Sequence, residues 1–287
     1  MNLPPPRVDQ DRGLALEAEP PLLRFDRVTK TFDNGQQAID SLSLDIRAQE
    51  FLVLLGPSGC GKTTLLLLAA GLIGPSTGKV EIDGQPPKAG DRTATVFQSF
   101  RLIPWKTARD NITFALPFLP AAERRKRADH YLELVGLSRV ADAYPMTLSG
   151  GMKQRLALAR ALAAETEILL MDEPFASLDA QSRELMQLEL MRLTSRRPVT
   201  VIFVTHSVDE ALLLGDRIVL MSPRPGRIAE ILELPFGRPR RQHDPREHPE
   251  FMPLRTHLWE ALRTMVLNDP QSDFYGHGGG QDLDKST

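Results

Sequence analysis

The chain holds 287 residues, 41% hydrophobic and 25% charged, with a formal net charge of -2. That length suits one large domain or two small ones, with enough core to fold without metals or disulfides. The near-neutral balance argues against a dedicated nucleic-acid binder, the single cysteine rules out an intramolecular disulfide and fits a reducing cytosol, and no apolar run approaches the ~20 residues that cross a bilayer.

In chain order, residues 1–21 are rich in Pro, Asp and Glu and lack both periodicity and the apolar core of a signal peptide. They are expected to form a disordered leader. Residues 22–30 alternate weakly and read as a first strand, followed by Phe32 and the turn Asp33-Asn34-Gly35. Residues 39–46 alternate at Leu42, Leu44 and Ile46 and read as a second strand. Phe51-Leu52-Val53-Leu54-Leu55 is a short apolar run, the pattern of a strand buried on both faces. A glycine-rich octet follows, then good helix formers over 64–70 that end at Gly71. Past the turn Gly74-Pro75-Ser76-Thr77-Gly78, residues 79–84 and 93–97 read as strands, the second ending at Gln98.

From 110 to 164 the pattern is mostly helical. The charge run Glu123-Arg124-Arg125-Lys126-Arg127 fits a solvated helix face, with a partner-binding patch as the alternative. Tyr144-Pro145 breaks the chain, and a helix then runs to about residue 164 with Met152, Leu156, Ala159 and Ala163 on one face. Strand signals return at 168–171 and 199–204, with helices at 182–196 and 208–214 and late strands at 217–221 and 228–234. The pattern predicts an α/β core with a helical subdomain, about residues 99–164, inserted into it. After a loop-like stretch, Phe251, Leu254, Leu258, Leu262 and Met265 recur at helical spacing within an extension over 235–267. They predict an amphipathic helix packed on the parent domain, a partner contact being the alternative. Residues 268–287 are Gly- and Asp-rich and are expected to be disordered.

The octet Gly56-Pro57-Ser58-Gly59-Cys60-Gly61-Lys62-Thr63 fits G-x-x-x-x-G-K-[ST] and stands between a strand and a helix, the setting this motif needs. Backbone N–H groups at a helix N-terminus form a nest that favours polyphosphate, and glycines let the backbone close on the anion without a Cβ clash. Gly56 to Thr63, with Thr64, are the candidate nucleotide-binding residues. Lys62 is suited to the β- and γ-phosphates and the Thr63 hydroxyl to Mg²⁺. The alternative is a chance glycine-rich turn.

Leu170-Met171-Asp172-Glu173 ends a buried strand in two carboxylates, on the side where ligands of open α/β sheets lie. Asp172 can hold Mg²⁺ through water, and Glu173 can polarise an attacking water. The alternative is a pair of helix-capping acids. Leu148-Ser149-Gly150-Gly151-Met152-Lys153-Gln154 predicts a second helix N-terminus, with Ser149 as N-cap and exposed N–H donors. An anion site so remote in sequence from the phosphate loop suggests a partner's nucleotide.

Together these residues resemble the ATP-binding subunit of ABC transporters, over about residues 22–234. Residues 148–154 look like the family's signature, through Ser149, Gly150, Gly151 and Gln154. Gln98 resembles its Q-loop glutamine, Ser177-Leu178-Asp179 its D-loop and Thr205-His206 its switch histidine. Phe32 sits where the family places an aromatic on adenine; the alternative is a strand-end core residue. The resemblance implies a P-loop NTPase core with an N-terminal antiparallel β region and the inserted helical subdomain. It implies ATP and Mg²⁺ as ligands, catalytic roles for Lys62, Gln98, Glu173 and His206, and metal contacts from Thr63, Gln98 and Asp172. It also implies a head-to-tail homodimer around two ATPs, each held by one copy's phosphate loop and the other's Ser149 and Gly151. Further implied partners are integral-membrane permease subunits and, through them, a solute-binding protein, which would place the chain peripherally on the cytoplasmic face of the cell membrane. No nucleic acid is expected.

Residues 97–105 and 221–228 are similar to the nitrate, sulfonate and taurine importer group, as is 234–241 with Arg238-Pro239-Arg240. Ala176 and Lys153 depart from the residues common in the family without touching a catalytic role. The expected function is therefore the ATP-hydrolysing subunit of an importer of a small solute of that kind. One alternative is a soluble ABC ATPase acting on nucleic acid or ribosomes, a class that usually shows two ATPase domains or a long coiled coil. This chain has one phosphate loop and no long heptad run. A nucleotide-sensing regulator is the third reading, and the presence of both Glu173 and His206 speaks against it.

Overall fold

Two sheets share one sandwich. The computed structural model describes residues 20–236 and 244–276. The larger sheet has six strands in the order β5 (Thr93–Val96), β6 (Ile168–Asp172), β7 (Thr200–Thr205), β3 (Phe51–Leu55), β8 (Arg217–Met221) and β9 (Ile228–Glu233). All neighbours pair in parallel except β9, which turns back antiparallel on β8. Every residue of β3, β6, β7 and β8 is buried, which is why they read as unbroken apolar runs. β9 alternates half-buried and exposed residues, as an edge strand with one wet face does.

The pleat splits the side chains of the parallel strands between two cores. Leu52, Leu54, Leu170, Ile202, Val204 and Val219 point to one face. There they meet the first helix, α1 (Lys62–Ala69), and a three-stranded antiparallel sheet, β2–β1–β4, made of Gln37–Ile46, Leu23–Thr31 and Thr77–Ile82. Phe51, Val53, Leu55, Met171, Val201 and Phe203 point to the other, against the helices of the second half. Phe203 lies between the rings of Phe51 and Phe175, with centroids 5.8 and 5.6 Å away.

Between β5 and β6 the chain is helical: α2 (Ala108–Phe114), α3 (Ala121–Leu134) and α4 (Gly150–Ala163). The fully buried Asn111 fixes the loop before α2 by accepting from Ile103 N and donating to the carbonyls of Ile103, Lys106 and Thr107. α4 is buried on more than one face, at Leu156, Ala157, Leu158, Ala159, Ala161 and Ala163, so the single apolar stripe expected of it is too narrow. The charged side of α3 is mostly solvated; Arg127 pairs within it with Glu123 and reaches beyond it to Glu165.

After β6 come α5 (Ala180–Arg196), then α6 (Val208–Leu214) behind β7, and finally α7 (Phe251–Asn268). α7 buries Phe251 and Leu258 and packs Leu254, Leu262 and Met265 against the main core, as its apolar stripe predicts. Residues 269–276, placed with the disordered tail on sequence, instead form turns. Asp269 and Ser272 accept from the N–H groups two residues on, and Gly276 N donates to Leu267 O. Together with α7 they border a hollow of about 990 Å³ shared with Gly56, Ser58 and His206. The expected disorder of 1–19 and 277–287 and the segment containing Arg238-Pro239-Arg240 lie outside the described residues.

Candidate functional site

The site grows from the C-terminal ends of β3, β6 and β7. The strand β3 runs into Gly56, and the chain loops to Gly61, which sits at φ 98° as the N-cap of α1. Only glycine fits there: a Cβ would lie 2.5 Å from Ile39 Cδ1 and 2.8 Å from Ala38 O. α1 has no side-chain cap, so its first-turn N–H groups are left for another acceptor. Lys62 is 6% exposed, and its ammonium donates to Gly56 O at 2.7 Å and Pro57 O at 2.8 Å, bridging the loop onto itself. Burial pushes the Cys60 thiol up, with the Lys62 ammonium opposing.

The carboxylates arrive on β6. Asp172 is 4% exposed and accepts from the Thr63 hydroxyl at 2.9 Å. Burial raises its carboxyl above the usual range, with Thr63 and Lys62 pulling it back and Glu173 adding to the rise. Glu173 follows at φ 47°, an uncommon conformation for a residue with a side chain, held by its N–H on Val204 O at 3.0 Å. Its carboxylate faces His206 Nδ1 at 3.3 Å and accepts from Gln98 Nε2 at 3.4 Å. Gln98 leaves the end of β5, and the loop behind it is anchored by Arg160 of α4, which donates to Phe100 O and Arg101 O. A cleft of about 300 Å³ joins Phe32, Ser58, Lys62, Thr63, Gln98 and Glu173.

The second helix N-terminus is built as its sequence predicts: Ser149 caps α4, its hydroxyl accepting from Met152 N at 3.3 Å. None of the residues 149–154 lines the phosphate cleft. Nothing in the fold demands the glycines beside the cap. A Cβ on Gly150 would meet nothing within 4 Å, and one on Gly151 would make ordinary contacts at 3.6 Å with Leu178 and Ser177. Asp179 caps α5 by accepting from Ser182 N at 2.9 Å, a bond that holds its carboxyl below the usual range. Among the described residues, no group of three or more His, Cys, Asp or Glu side chains is placed to hold a metal ion.

A family described as "ABC transporter" matches residues 39–176, and one described as "AAA domain, putative AbiEii toxin, Type IV TA system" matches 142–212. An uncharacterised ABC transporter ATP-binding protein of Methanocaldococcus jannaschii is 46% identical over 251 residues, covering 85% of this chain and 92% of the relative. The chain belongs to the ATP-binding proteins of ABC transporters. The nitrate import ATP-binding protein NrtD of Synechococcus elongatus is 44% identical to the cassette, over 86% of it and 93% of NrtD. The bicarbonate transport ATP-binding protein CmpC of the same species is 46% identical over 78% of the cassette and 35% of CmpC. In structure it resembles a dimeric ATP-binding cassette in a post-hydrolysis state bound to ADP and Pi. The TM-score is 0.69 at 35% identity, covering 74% of this chain and 98% of that one. The cassette is an ATPase, with the fold expected of that class.

The structure brings Phe32, Lys62, Thr63, Asp172, Glu173, Gln98 and His206 of the cassette to one place, and sets Ser149, Gly150, Gly151 and Asp179 apart from it. Phe32 is 37% exposed on the cleft, which removes the reading of a strand-end core residue. Gln154 differs from the rest of its motif. It is 1% exposed, and its amide nitrogen has no hydrogen-bond partner among the described residues. Sequence reasoning missed Gln36, Ala38 and Arg224, which also line the cleft. Gln36 immediately precedes β2, Ala38 lies in it, and Arg224 lies in the turn after β8. The available signal was position: Arg224 follows the C-terminal end of a parallel strand, where open α/β sheets bind ligands.

Proposed function

We propose that the cassette is the ATP-hydrolysing subunit of an importer, and that two copies close head to tail around two ATPs. The observation that carries this reading is the helix N-terminus at Ser149. It is capped, followed by glycines that no contact within the chain requires, and absent from the phosphate cleft of its own chain. Small residues leave room for another backbone or an anion to approach. A second copy's triphosphate, held on its phosphate loop, supplies both.

Within one site, the α1 N-terminus and Lys62 bind the β- and γ-phosphates, the Lys62 ammonium exchanging the loop carbonyls for phosphate oxygens. Phe32 stacks on adenine from its exposed position on the cleft. Thr63 and Asp172 are hard oxygen donors already 2.9 Å apart, a fit for Mg²⁺, with Gln98 alongside. When bound there, Mg²⁺ supplies charge neutralisation at the phosphates. Glu173 accepts from and orients the attacking water, and His206 and Gln98 hold its carboxylate in place. The products are ADP and inorganic phosphate.

No helix among the described residues is long and apolar enough to cross a membrane. The membrane partner is a separate permease on whose cytoplasmic face the dimer sits, with a solute-binding protein feeding the permease. The nitrate and bicarbonate transport relatives support a small oxyanion as the solute, within the group of nitrate, sulfonate, taurine and similar compounds. The test is ATP-dependent association. Glu173→Gln keeps the side chain's shape and removes the carboxylate, so it should hold ATP unhydrolysed and run as a dimer in size-exclusion chromatography with Mg-ATP. Adding Ser149→Arg should return it to monomer with ATP still bound. Dimers that ignore both ATP and Ser149→Arg would sink the head-to-tail arrangement.

A further inference from the structure

The turn between β8 and β9 lies against the phosphate loop. Gly226 N donates to Ala38 O at 2.9 Å, and Asp40 N donates to Gly226 O at 3.1 Å, so the turn is bonded to β2 on both sides of Ile39. Ser222 closes it, its N donating to Arg227 O and its hydroxyl accepting from Arg227 N. The Arg227 guanidinium pairs with Asp40. A Cβ on Gly226 would lie 2.0 Å from Cys60 O, so only glycine lets the turn seat this closely on the loop.

From this fixed turn Arg224 reaches back over the loop. Its Nε and Nη2 both donate to Gly59 O, at 3.2 and 3.1 Å. Unlike Arg227, it pairs with no carboxylate among the described residues. It lines the same cleft as Phe32, Lys62 and Thr63. The carbonyl it holds belongs to the Gly59–Cys60 peptide, whose C=O and N–H point opposite ways in the trans form. The other end of that peptide, Cys60 N–H, makes only a 3.4 Å contact with Pro57 O. Gly59 is at φ 77°, and glycine gives little resistance to rotation of the peptide that follows it. A rotated peptide would turn a carbonyl toward the bound phosphates in place of a donor.

We propose that Arg224 is a nucleotide-positioning residue: it clamps the Gly59–Cys60 peptide so that the loop presents Cys60 N–H to the phosphates, and it adds a second cation to the cleft beside Lys62. The proposal rests on the ATP-site reading above. Losing the charge-assisted bond should lower Mg-ATP affinity about tenfold. Turnover at saturating ATP should survive, because Arg224 does not touch the Glu173 carboxylate or its partners.

The single cysteine supplies a direct readout, since selective ¹⁵N-cysteine labelling gives one backbone amide resonance, that of Cys60. Arg224→Ala should move or broaden this resonance in the nucleotide-free protein and raise KM for ATP far more than it changes kcat. Arg224→Lys keeps a cation but not the forked donor pair. It should fall between wild type and Ala in affinity, and it keeps the test open should the Ala variant fold poorly. An unmoved Cys60 resonance overturns the clamp, even if affinity falls. Unchanged affinity with a moved resonance overturns the nucleotide role. Should wild type itself fail to bind Mg-ATP, the ATP-site reading fails, while the Cys60 resonance still decides whether Arg224 holds the loop.

Discussion

Cys60 shows how one residue's surroundings set its chemistry. The residue is 1% exposed, and burial pushes the thiol up although the Lys62 ammonium is 3.6 Å from its sulfur. The thiolate is the reactive form, so a raised thiol reacts slowly near neutral pH and gains only above the ordinary thiol range. Native protein at pH 7.5 should therefore be alkylated by iodoacetamide far more slowly than urea-unfolded protein, with or without Mg-ATP. Equal rates in native and unfolded chains would show that the loop does not bury the sulfur. At this scale the phosphate loop, Asp172 and the Ser149 cap were legible because each is a short run whose chemistry follows from neighbours in sequence. Arg224 was not, because its partner, Gly59, is 165 residues away and no local pattern announces the meeting. The burial of Gln154 was not legible for the opposite reason: its motif is local, but which side of α4 is buried depends on the rest of the subdomain.

Among the elements, α6 carries a titratable group inside the fold. Glu210 accepts from the Thr205 hydroxyl at 2.6 Å and from Gln187 Nε2 at 3.3 Å. Burial raises its carboxyl above the usual range, with Thr205, Arg183 and His206 pulling it back. A carboxyl raised by folding favours the native state below its unfolded pKa, and that contribution is lost as pH rises through the folded value. Glu210→Gln keeps the shape without the charge, so it should raise Tm near pH 7. The gain should vanish near about pH 3, where the wild-type carboxyl is protonated in both states. A thermal shift of the same size at both pH values would place the effect elsewhere than in ionisation. The bounds of β3, α6 and β8 were legible to the residue, because short apolar runs mark them. The antiparallel return of β9 was not. Its partner is set by a turn whose seat on Cys60 depends on the tertiary fold.

For the whole molecule, a buried arginine ties the two sheets together. Arg217 opens β8 and is buried against Glu50, with Nε to Oε1 at 2.6 Å and Nη2 to Oε2 at 3.0 Å, while Nη2 also reaches Asp45 O in β2. The side chains are 9% and 5% exposed, so removing one partner strands the other in a dry place. Arg217→Met should cost roughly 3–5 kcal/mol in urea unfolding, and Glu50→Leu in the same chain should recover most of it. A loss of less than about 1 kcal/mol would mean that water reaches the pair.

The central claim at this scale is that each ATP is held by the phosphate loop of one copy and the capped helix of the other. The most direct measurement is nucleotide trapping by heterodimers isolated through two different affinity tags, all chains carrying Glu173→Gln. In a trans arrangement, Lys62→Ala paired with Ser149→Arg puts both defects in one site and leaves the other intact. The double variant Lys62→Ala, Ser149→Arg paired with an otherwise unmodified chain damages both sites. The account predicts trapped ATP in the first heterodimer and its loss in the second. Trapping in the second and none in the first would show that each chain completes its own site, and would contradict it.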